Sequence, residues 1–437
     1  MTRKDFLSSI GGLCASGTIL SMFPWLEGCS EKEQKAIASE KARLAIIGTG
    51  SRGQYHIANL LLEDAAQIVA LCDDFQPHLD AAAAMCPEAK LYNDYRKLLE
   101  DSAVQGVLIC TPLFLHAQMI LDSLAAGKHV FCEKALAHSI EECKQVYDVW
   151  KESGKVLLIG QQRLFDPKYI KAMELVQNGA IGEVVGIRNY WYRNNDWLRP
   201  LPENAPAEPA GSPFPDLQHR INWRLYDKYS KGLMTELACH QIQNGSWAMG
   251  SMQPLSVMGS GNIRHWKDDR EVFDNLAVIY QYPNGTQMTF ESIISNKHFG
   301  MGEFILGSEG TIDLVSGTLY TDEPRQKSGI AQFLKQIEMG IIRNSVFAGT
   351  SWNQESGTSD LGTKFAGDVV VNSGASTVGA LADGSVELMH AYCHAVITGN
   401  QPKNVIEESY YSSVFALLGE KATREKAVLT LDDRFKI

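Results

Sequence analysis

Arg43-Leu44-Ala45-Ile46-Ile47-Gly48-Thr49-Gly50-Ser51-Arg52-Gly53 decides how this chain is read. A short apolar strand runs into three glycines and opens a helix. Gly48 permits the tight turn, Gly50 lets the backbone approach a pyrophosphate, and Gly53 allows close packing of helix on strand. Ser51 and Arg52 complete the turn, where backbone N–H groups and the helix dipole favour phosphate. A glycine turn alone is weak. Its weight comes from Asp73, 20 residues past Gly53 at the end of the next apolar run, Ala66 to Cys72. An acid there accepts ribose hydroxyls and repels a 2′-phosphate. The expected cofactor is therefore NAD. Arg52 is the residue that could instead serve NADP.

Outward from this stretch, apolar runs alternate with helical patterns. Gly106 to Cys110, His129 to Cys132 and Val156 to Gly160 read as strands, and His116 to Ala126 and Ile140 to Ser153 as helices. Strands apolar on both faces, alternating with helices, specify a parallel sheet covered on each side: an α/β Rossmann domain over residues 41–162. Residues 163–437 change character. Glu183 to Tyr192 reads as a long strand, and Pro283-Asn284-Gly285 joins two alternating strands as a hairpin. This half is expected to be an α+β domain with a mainly antiparallel open sheet. Trp197 to Pro215 carries six prolines and reads as a long ordered loop or lid. Gly340 to Ala380 reads as loops, and Ser385 to Ile397 and Glu407 to Ala422 as closing helices.

The chemistry-bearing residues stand at strand ends, where such sheets bind ligands. Thr111-Pro112 ends one strand, with His116 opening the next helix as either a cofactor contact or a packing residue. Glu133-Lys134 ends another, where the lysine can sit beside the nicotinamide and hydrogen-bond a substrate oxygen. Gln162 follows the last strand. In the second half, Glu236 and His240 share one face if the segment is an α-helix. Removing hydrogen from a carbinol carbon requires a base for the hydroxyl proton, and a histidine oriented by a carboxylate suits that role. Alternatively, His240 is a satisfied core histidine. A metal is not indicated, because no third ligand is evident.

The first 40 residues do not read as fold. Arg3 and Lys4 precede an apolar run from Phe6 to Trp25, as in an export signal. Thr2 to Leu7 resembles a twin-arginine signal with Lys4 in place of the second Arg. Leu26-Glu27-Gly28-Cys29 resembles a lipobox, which would lipidate Cys29. The expected location is periplasmic or membrane-tethered, with the membrane reached only through the lipid. A formal net charge of −11 argues against nucleic acid as a partner. Nine cysteines include no CxxC pair, and those in predicted buried strands act as small hydrophobes.

Together these motifs resemble the Gfo/Idh/MocA family of oxidoreductases, which includes glucose–fructose oxidoreductase and inositol dehydrogenase. The resemblance rests on Gly48 to Gly53, Asp73, Tyr92 to Leu99, Thr111-Pro112, Ala126 to Lys134, Gln162 to Pro167 and the Glu236–His240 element. It implies Lys134 and His240 at the catalytic centre, with His240 as base and Glu236 beside it. It implies substrate contacts at Arg163, Tyr190, Tyr192, Arg193, Asn222, Trp223 and Arg224. It also implies a homo-oligomer formed through the open sheet. Two positions depart from the family pattern: Ala135 stands where proline follows the lysine, and Glu236 where the family has aspartate. The expected function is oxidation of a carbohydrate or glycoside hydroxyl with a retained, internally recycled cofactor. The alternatives are a glycosidase using transient C3 oxidation, or a tethered sugar-binding protein with vestigial catalysis.

Overall fold

The structure, a computed structural model, describes residues 40–203, 206–209, 211–321, 363–364 and 383–437. The expected export segment (residues 1–39) and, apart from 363–364, the loop-rich stretch 340–380 lie outside the described residues.

The first half alternates β1 (Ala42–Ile47), α1 (Ser51–Leu60), β2 (Ala66–Cys72), α2 (Gln76–Met85), β3 (Lys90–Tyr92), α3 (Tyr95–Leu99), β4 (Gly106–Ile109), α4 (His116–Ala125), β5 (His129–Cys132), α5 (Ile140–Ser153) and β6 (Leu157–Ile159). The six strands are parallel, in the order β3-β2-β1-β4-β5-β6. The order reverses between β1 and β4, and that reversal opens a crevice at the carboxyl ends of the strands. All four residues of β4 are buried, as a strand covered on both faces requires.

The second half contains α6 (Pro167–Gln177), β7 (Val184–Tyr192), α7 (Leu217–Ile221), a π-helical turn (Met234–Ala238), α8 (Cys239–Ala248), β8 (Ser256–Asn262), β9 (Asn275–Gln281), β10 (Gln287–Ile293), β11 (Met301–Gly307), β12 (Gly310–Asp313), β13 (Thr318–Thr321) and β14 (Thr363–Lys364). Among the described residues these form an eight-stranded sheet in the order β14-β13-β12-β11-β7-β10-β9-β8. The β7–β10 pair is parallel and the other pairs are antiparallel. The expected hairpin joins β9 to β10, with Gly285 at φ +92° in its turn. Along β9, Leu276, Val278 and Tyr280 are buried while Ala277, Ile279 and Gln281 are exposed, so one sheet face meets the helices.

The two closing helices are α9 (Ser385–Thr398) and α10 (Val405–Glu425). Together they pack against both halves of the molecule. Leu388, Met389 and Tyr392 of α9 pack against Leu44, Ile46 and Leu108 of the parallel sheet. The Tyr392 hydroxyl donates to the Val107 carbonyl at 2.9 Å, and a Cβ at Gly106 would lie 2.7 Å from that hydroxyl. The helix α10 has two buried faces. Ile406, Tyr410 and Val414 join the Rossmann core, whereas Phe415, Leu418 and Ala422 join the core beneath the second sheet. A parallel sheet needs a helical layer on each face, and the sequence supplies part of one layer from these distant residues.

Candidate functional site

A cavity of about 1030 Å³ lies at the carboxyl ends of β1, β2, β4 and β5 and extends to the π turn of the second half. Gly48, Gly50, Ser51, Arg52, Asp73, Thr111, Pro112, His116, Glu133, Lys134, Gln162, Trp223, Arg224, Glu236 and His240 all line it. Most of the expected site residues are thus brought together.

The glycine loop separates the roles of its three glycines. Gly48 has φ +89°, and a Cβ there would sit 2.8 Å from the Cys110 carbonyl carbon. A Cβ at Gly53 would lie 2.1 Å from the Gly48 oxygen. Both are required by backbone packing. A Cβ at Gly50 would meet only the His78 ring, at 3.4 Å, so this glycine leaves the loop open to the cavity. Asp73 organises the loop. Its carboxylate accepts from the Thr49 amide at 2.7 Å and from the Phe75 amide at 2.9 Å. A carboxylate has about four acceptor positions, which leaves capacity for a ribose hydroxyl. An open glycine loop, an acid at the end of β2 and a cavity of this size fit a dinucleotide.

Arg52 donates through Nε to Glu133 Oε1 at 2.7 Å, and His56 Nε2 lies 2.6 Å from the same oxygen. Burial opposes ionisation of Glu133, but Arg52 and His56 hold its carboxyl well below the usual range. Glu133 therefore fixes Arg52 at the end of β5. His116 faces backbone, in keeping with the packing alternative. Its Nδ1 faces the Ala135 carbonyl at 2.8 Å and its Nε2 the Thr111 carbonyl at 3.0 Å. A neutral ring donates to one of these carbonyls and only faces the other, so His116 anchors the strand-end loops from within the cavity lining.

The Lys134–Ala135 peptide is cis. Lys134 Nζ donates to the Glu236 carbonyl at 2.9 Å and lies 3.8 Å from Glu236 Oε2. Glu236 also accepts from Arg224 Nε at 2.8 Å, and Arg224 stacks 4.2 Å over the Trp223 ring. Burial works against the charged form of Glu236, but Lys134 and Arg224 keep its pKa lowered.

Glu236 does not orient His240, contrary to the α-helical expectation. Met234–Ala238 is a π turn, and its wider pitch takes Glu236 off the face that carries His240. His240 Nδ1 instead lies 3.1 Å from Gln161 Oε1. Gln161 Nε2 donates to Ser412 Oγ at 2.9 Å, and that hydroxyl donates to the Ser409 carbonyl at 3.0 Å. This relay assigns Gln161 Oε1 to the histidine, so Nδ1 carries the proton and Nε2 the lone pair. Burial, then the cations Arg163 and Lys134, push His240 well below the ordinary histidine range. At neutral pH the ring is an uncharged base.

Five expected substrate contacts lie elsewhere. Tyr190 and Tyr192 sit on the outer face of the second sheet with Phe299 and Phe304. The period of two along β7 turns Trp191 inward instead, its ring 6.5 Å from that of His240. Arg163 is buried and paired with Glu303 at 2.6 Å. Asn222 is buried and clamps a loop, accepting from the Arg199 amide at 2.7 Å and donating to the Arg199 carbonyl at 3.1 Å. Arg193 lies 5.9 Å from the Trp191 ring and does not line the cavity.

Sequence reasoning missed Gln161, which touches His240, and Arg199 and Arg220, which line the cavity. Gln161 was within reach, because it follows β6 at the ligand edge. Among the described residues no group of three His, Cys, Asp or Glu could hold a metal, and the seven cysteines there are unpaired.

Residues 42–161 match the family described as "Oxidoreductase family, NAD-binding Rossmann fold", and residues 169–313 match its "GFO/IDH/MocA C-terminal domain". The chain is 34% identical to an uncharacterised oxidoreductase, YrbE, of Bacillus subtilis over 31% of this chain and 40% of that protein. It is 26% identical to the scyllo-inositol 2-dehydrogenase (NAD(+)) of the same organism, over 64% of this chain and 75% of that one. It is 33% identical to myo-inositol 2-dehydrogenase of Thermotoga maritima over 51% of this chain and 58% of the relative. The chain thus spans between two fifths and three quarters of these relatives. Among solved structures, levoglucosan dehydrogenase with NADH and L-sorbose aligns with 90% of this chain and 99% of its own at a TM-score of 0.68 and 16% identity. An oxidoreductase domain protein from Kribbella flavida aligns with 90% of this chain and 100% of its own at 0.69 and 18%. At these identities the structures support the fold.

Proposed function

Because the chain belongs to the Gfo/Idh/MocA oxidoreductase family and carries its NAD-binding Rossmann domain, we propose that it oxidises a hydroxyl of a sugar, glycoside or related polyol. The observation that carries this reading is the convergence of Lys134 and His240, from opposite halves of the molecule, on one cavity with the glycine loop. The glycine loop and Asp73 would hold the dinucleotide, which when bound supplies the acceptor for the hydrogen leaving carbon with its electron pair. Two Lys134 N–H groups are directed at the Thr235 and Glu236 carbonyls, leaving a third for a substrate oxygen. His240 Nε2 takes the hydroxyl proton, and Gln161 steadies the imidazolium that results. Trp223 offers an apolar ring face suited to a sugar, and Arg224 and Glu236 offer polar partners for its hydroxyls. The inositol dehydrogenases among the relatives support a cyclic polyol or sugar.

NAD is favoured over NADP by Asp73 and by the position of Arg52. Glu133 fixes Arg52 at the end of β5, three strand spacings from β2 in the sheet order, roughly 14 Å away. Replacing Asp73 by Ser removes the repulsion of a 2′-phosphate. The ratio of NADP to NAD affinity is expected to rise on the order of 10-fold or more, measured by fluorescence titration with the reduced forms. An unchanged ratio assigns the discrimination elsewhere.

The reading extends to a retained cofactor, an exported and lipid-tethered chain, and a homo-oligomer. The motifs at Arg3-Lys4 and Cys29 support the export reading. Incubating the protein with a panel of sugars and glycosides and analysing products by mass spectrometry tests the chemistry. Loss of two hydrogens is expected. Bond cleavage without net oxidation identifies an elimination glycosidase, and the absence of any product with bound NAD identifies a binding protein.

A further inference from the structure

The proline-rich segment Trp197–Pro215 contains neither helix nor strand among its described residues, yet it lines the same cavity as the glycine loop and Asp73. It reaches the Rossmann half at two places. Arg199 Nη1 lies 3.5 Å from Ser51 Oγ, at the first residue of α1. Among the described residues Arg199 pairs with no carboxylate, although Asn222 fixes its backbone from both sides. At the other place Arg220, just beyond the segment on α7, grips Asp74 through Nη1 at 2.7 Å and Nη2 at 3.1 Å. The same guanidinium donates through Nε to both oxygens of Glu208, at 2.8 and 2.9 Å, and through Nη2 to Ser212 Oγ at 3.2 Å. It lies 4.9 Å from the Phe214 ring and 5.6 Å from that of Phe75. Asp74 and Phe75 directly follow Asp73, the residue expected at the adenosine ribose.

We propose that this segment is a retaining strap for the dinucleotide, with Arg199 as a further binding residue for the pyrophosphate and Arg220 as the latch. The proposal rests on the NAD-binding reading of the cavity. Ser51 marks the helix N-terminus where backbone N–H groups attract phosphate. The Arg199 guanidinium beside it supplies a counter-charge, whereas that of Arg52 in the glycine loop is already paired with Glu133. Arg220 joins Glu208 of the strap to Asp74 of the Rossmann half, so this contact holds the strap beside Asp73 at the adenosine end of the cavity. The prolines fix φ along the strap, which lowers the entropy lost when it orders. A latched strap makes release slow without any covalent link. The cofactor then has to be restored by a second substrate in the same cavity.

The test follows release from the full-length protein. NADH-loaded protein is mixed with excess NAD, and the fluorescence of bound NADH is followed. Asp74→Ala and Arg220→Ala are each expected to speed release by roughly 10- to 100-fold, the scale of losing a paired, charge-assisted contact. Asp74 is 47% exposed on its side chain, so its removal spares the core. The double variant is expected to release no faster than the faster single one, because both act on one contact. Arg199→Ala is expected to weaken NADH binding about 10-fold and to reduce its dependence on salt. Release within twofold of wild type in both latch variants overturns the strap. An Arg199→Ala effect on substrate KM with unchanged NADH affinity overturns its pyrophosphate role and assigns the guanidinium to an anionic substrate. A wild-type protein that binds no NADH removes the cofactor reading and the strap with it.

Discussion

Replacing His240 by Ala is expected to lower kcat/KM by about 10²- to 10⁴-fold, the usual contribution of a positioned general base. NADH affinity is expected to be unchanged, because the ring's assigned partner is Gln161 rather than the glycine loop. The pH dependence sharpens the test. Only the neutral ring accepts a proton, and burial followed by the charges of Arg163 and Lys134 lowers the pKa of His240 well below 6.5. The base form therefore persists as pH falls through 6.5, and wild-type kcat/KM stays flat there, declining only further into acid. A half-loss of activity near pH 6.5 would instead mean an ordinary, solvated histidine. Gln161→Leu frees the Nδ1 proton from its acceptor. It is expected to lower kcat more than it changes KM, which separates positioning from binding.

The largest effect on stability is expected at Glu303. Its side chain is buried on β11, paired with Arg163 at 2.6 Å. It also accepts from the Tyr169 hydroxyl and from Asn244 Nδ2, each at 2.9 Å. Glu303→Gln keeps an acceptor for Tyr169 and Asn244 but turns an NH₂ group toward the guanidinium. The buried Arg163 charge is then uncompensated, a loss of about 3–5 kcal/mol. Urea unfolding with a fluorescence readout measures it. Adding Arg163→Met to that variant is expected to restore much of the loss, since removing the guanidinium removes the unpaired buried charge while the introduced glutamine keeps its acceptor for Tyr169 and Asn244. A single variant within 1 kcal/mol of wild type would show that water reaches this pair.

The Rossmann half was legible because its signals are local. Gly48 to Gly53, Asp73 and the strand-end pairs each encode their position by spacing, and the apolar runs announce strands buried on both faces. The second half was legible at the level of sheet and hairpin. What failed there depended on one residue of register or one turn of pitch. A strand reverses side-chain direction at every residue, so Tyr190 and Tyr192 against Trp191 is a matter of parity that aromatic composition cannot fix. A π turn adds one residue per hydrogen-bonded ring, and nothing in Met234 to Ala238 announces it. The family resemblance implies ligand contacts at Arg163 and Asn222, and the strand-end position allows one at His116, but all three are engaged within the protein. Their partners, Glu303, Arg199 and the Ala135 and Thr111 carbonyls, come from separate loops and strands. Long-range pairing also hid Arg220, whose partners Asp74 and Glu208 lie 146 and 12 residues away.

The placement of α9 and α10 has a consequence for the order of events on the ribosome. The Rossmann motifs emerge first, yet the core that Leu44, Ile46 and Leu108 share with α1 and α2 is completed only once residues 385–398 have been made. Ser412, which fixes the amide of Gln161 and through it His240, arrives later still. Until then part of one face of the parallel sheet lacks its helical cover and the base has no fixed tautomer. The nascent chain therefore has to be shielded through most of its synthesis. The oriented base therefore appears only with the last α-helix, after the glycine loop and Asp73 have been made.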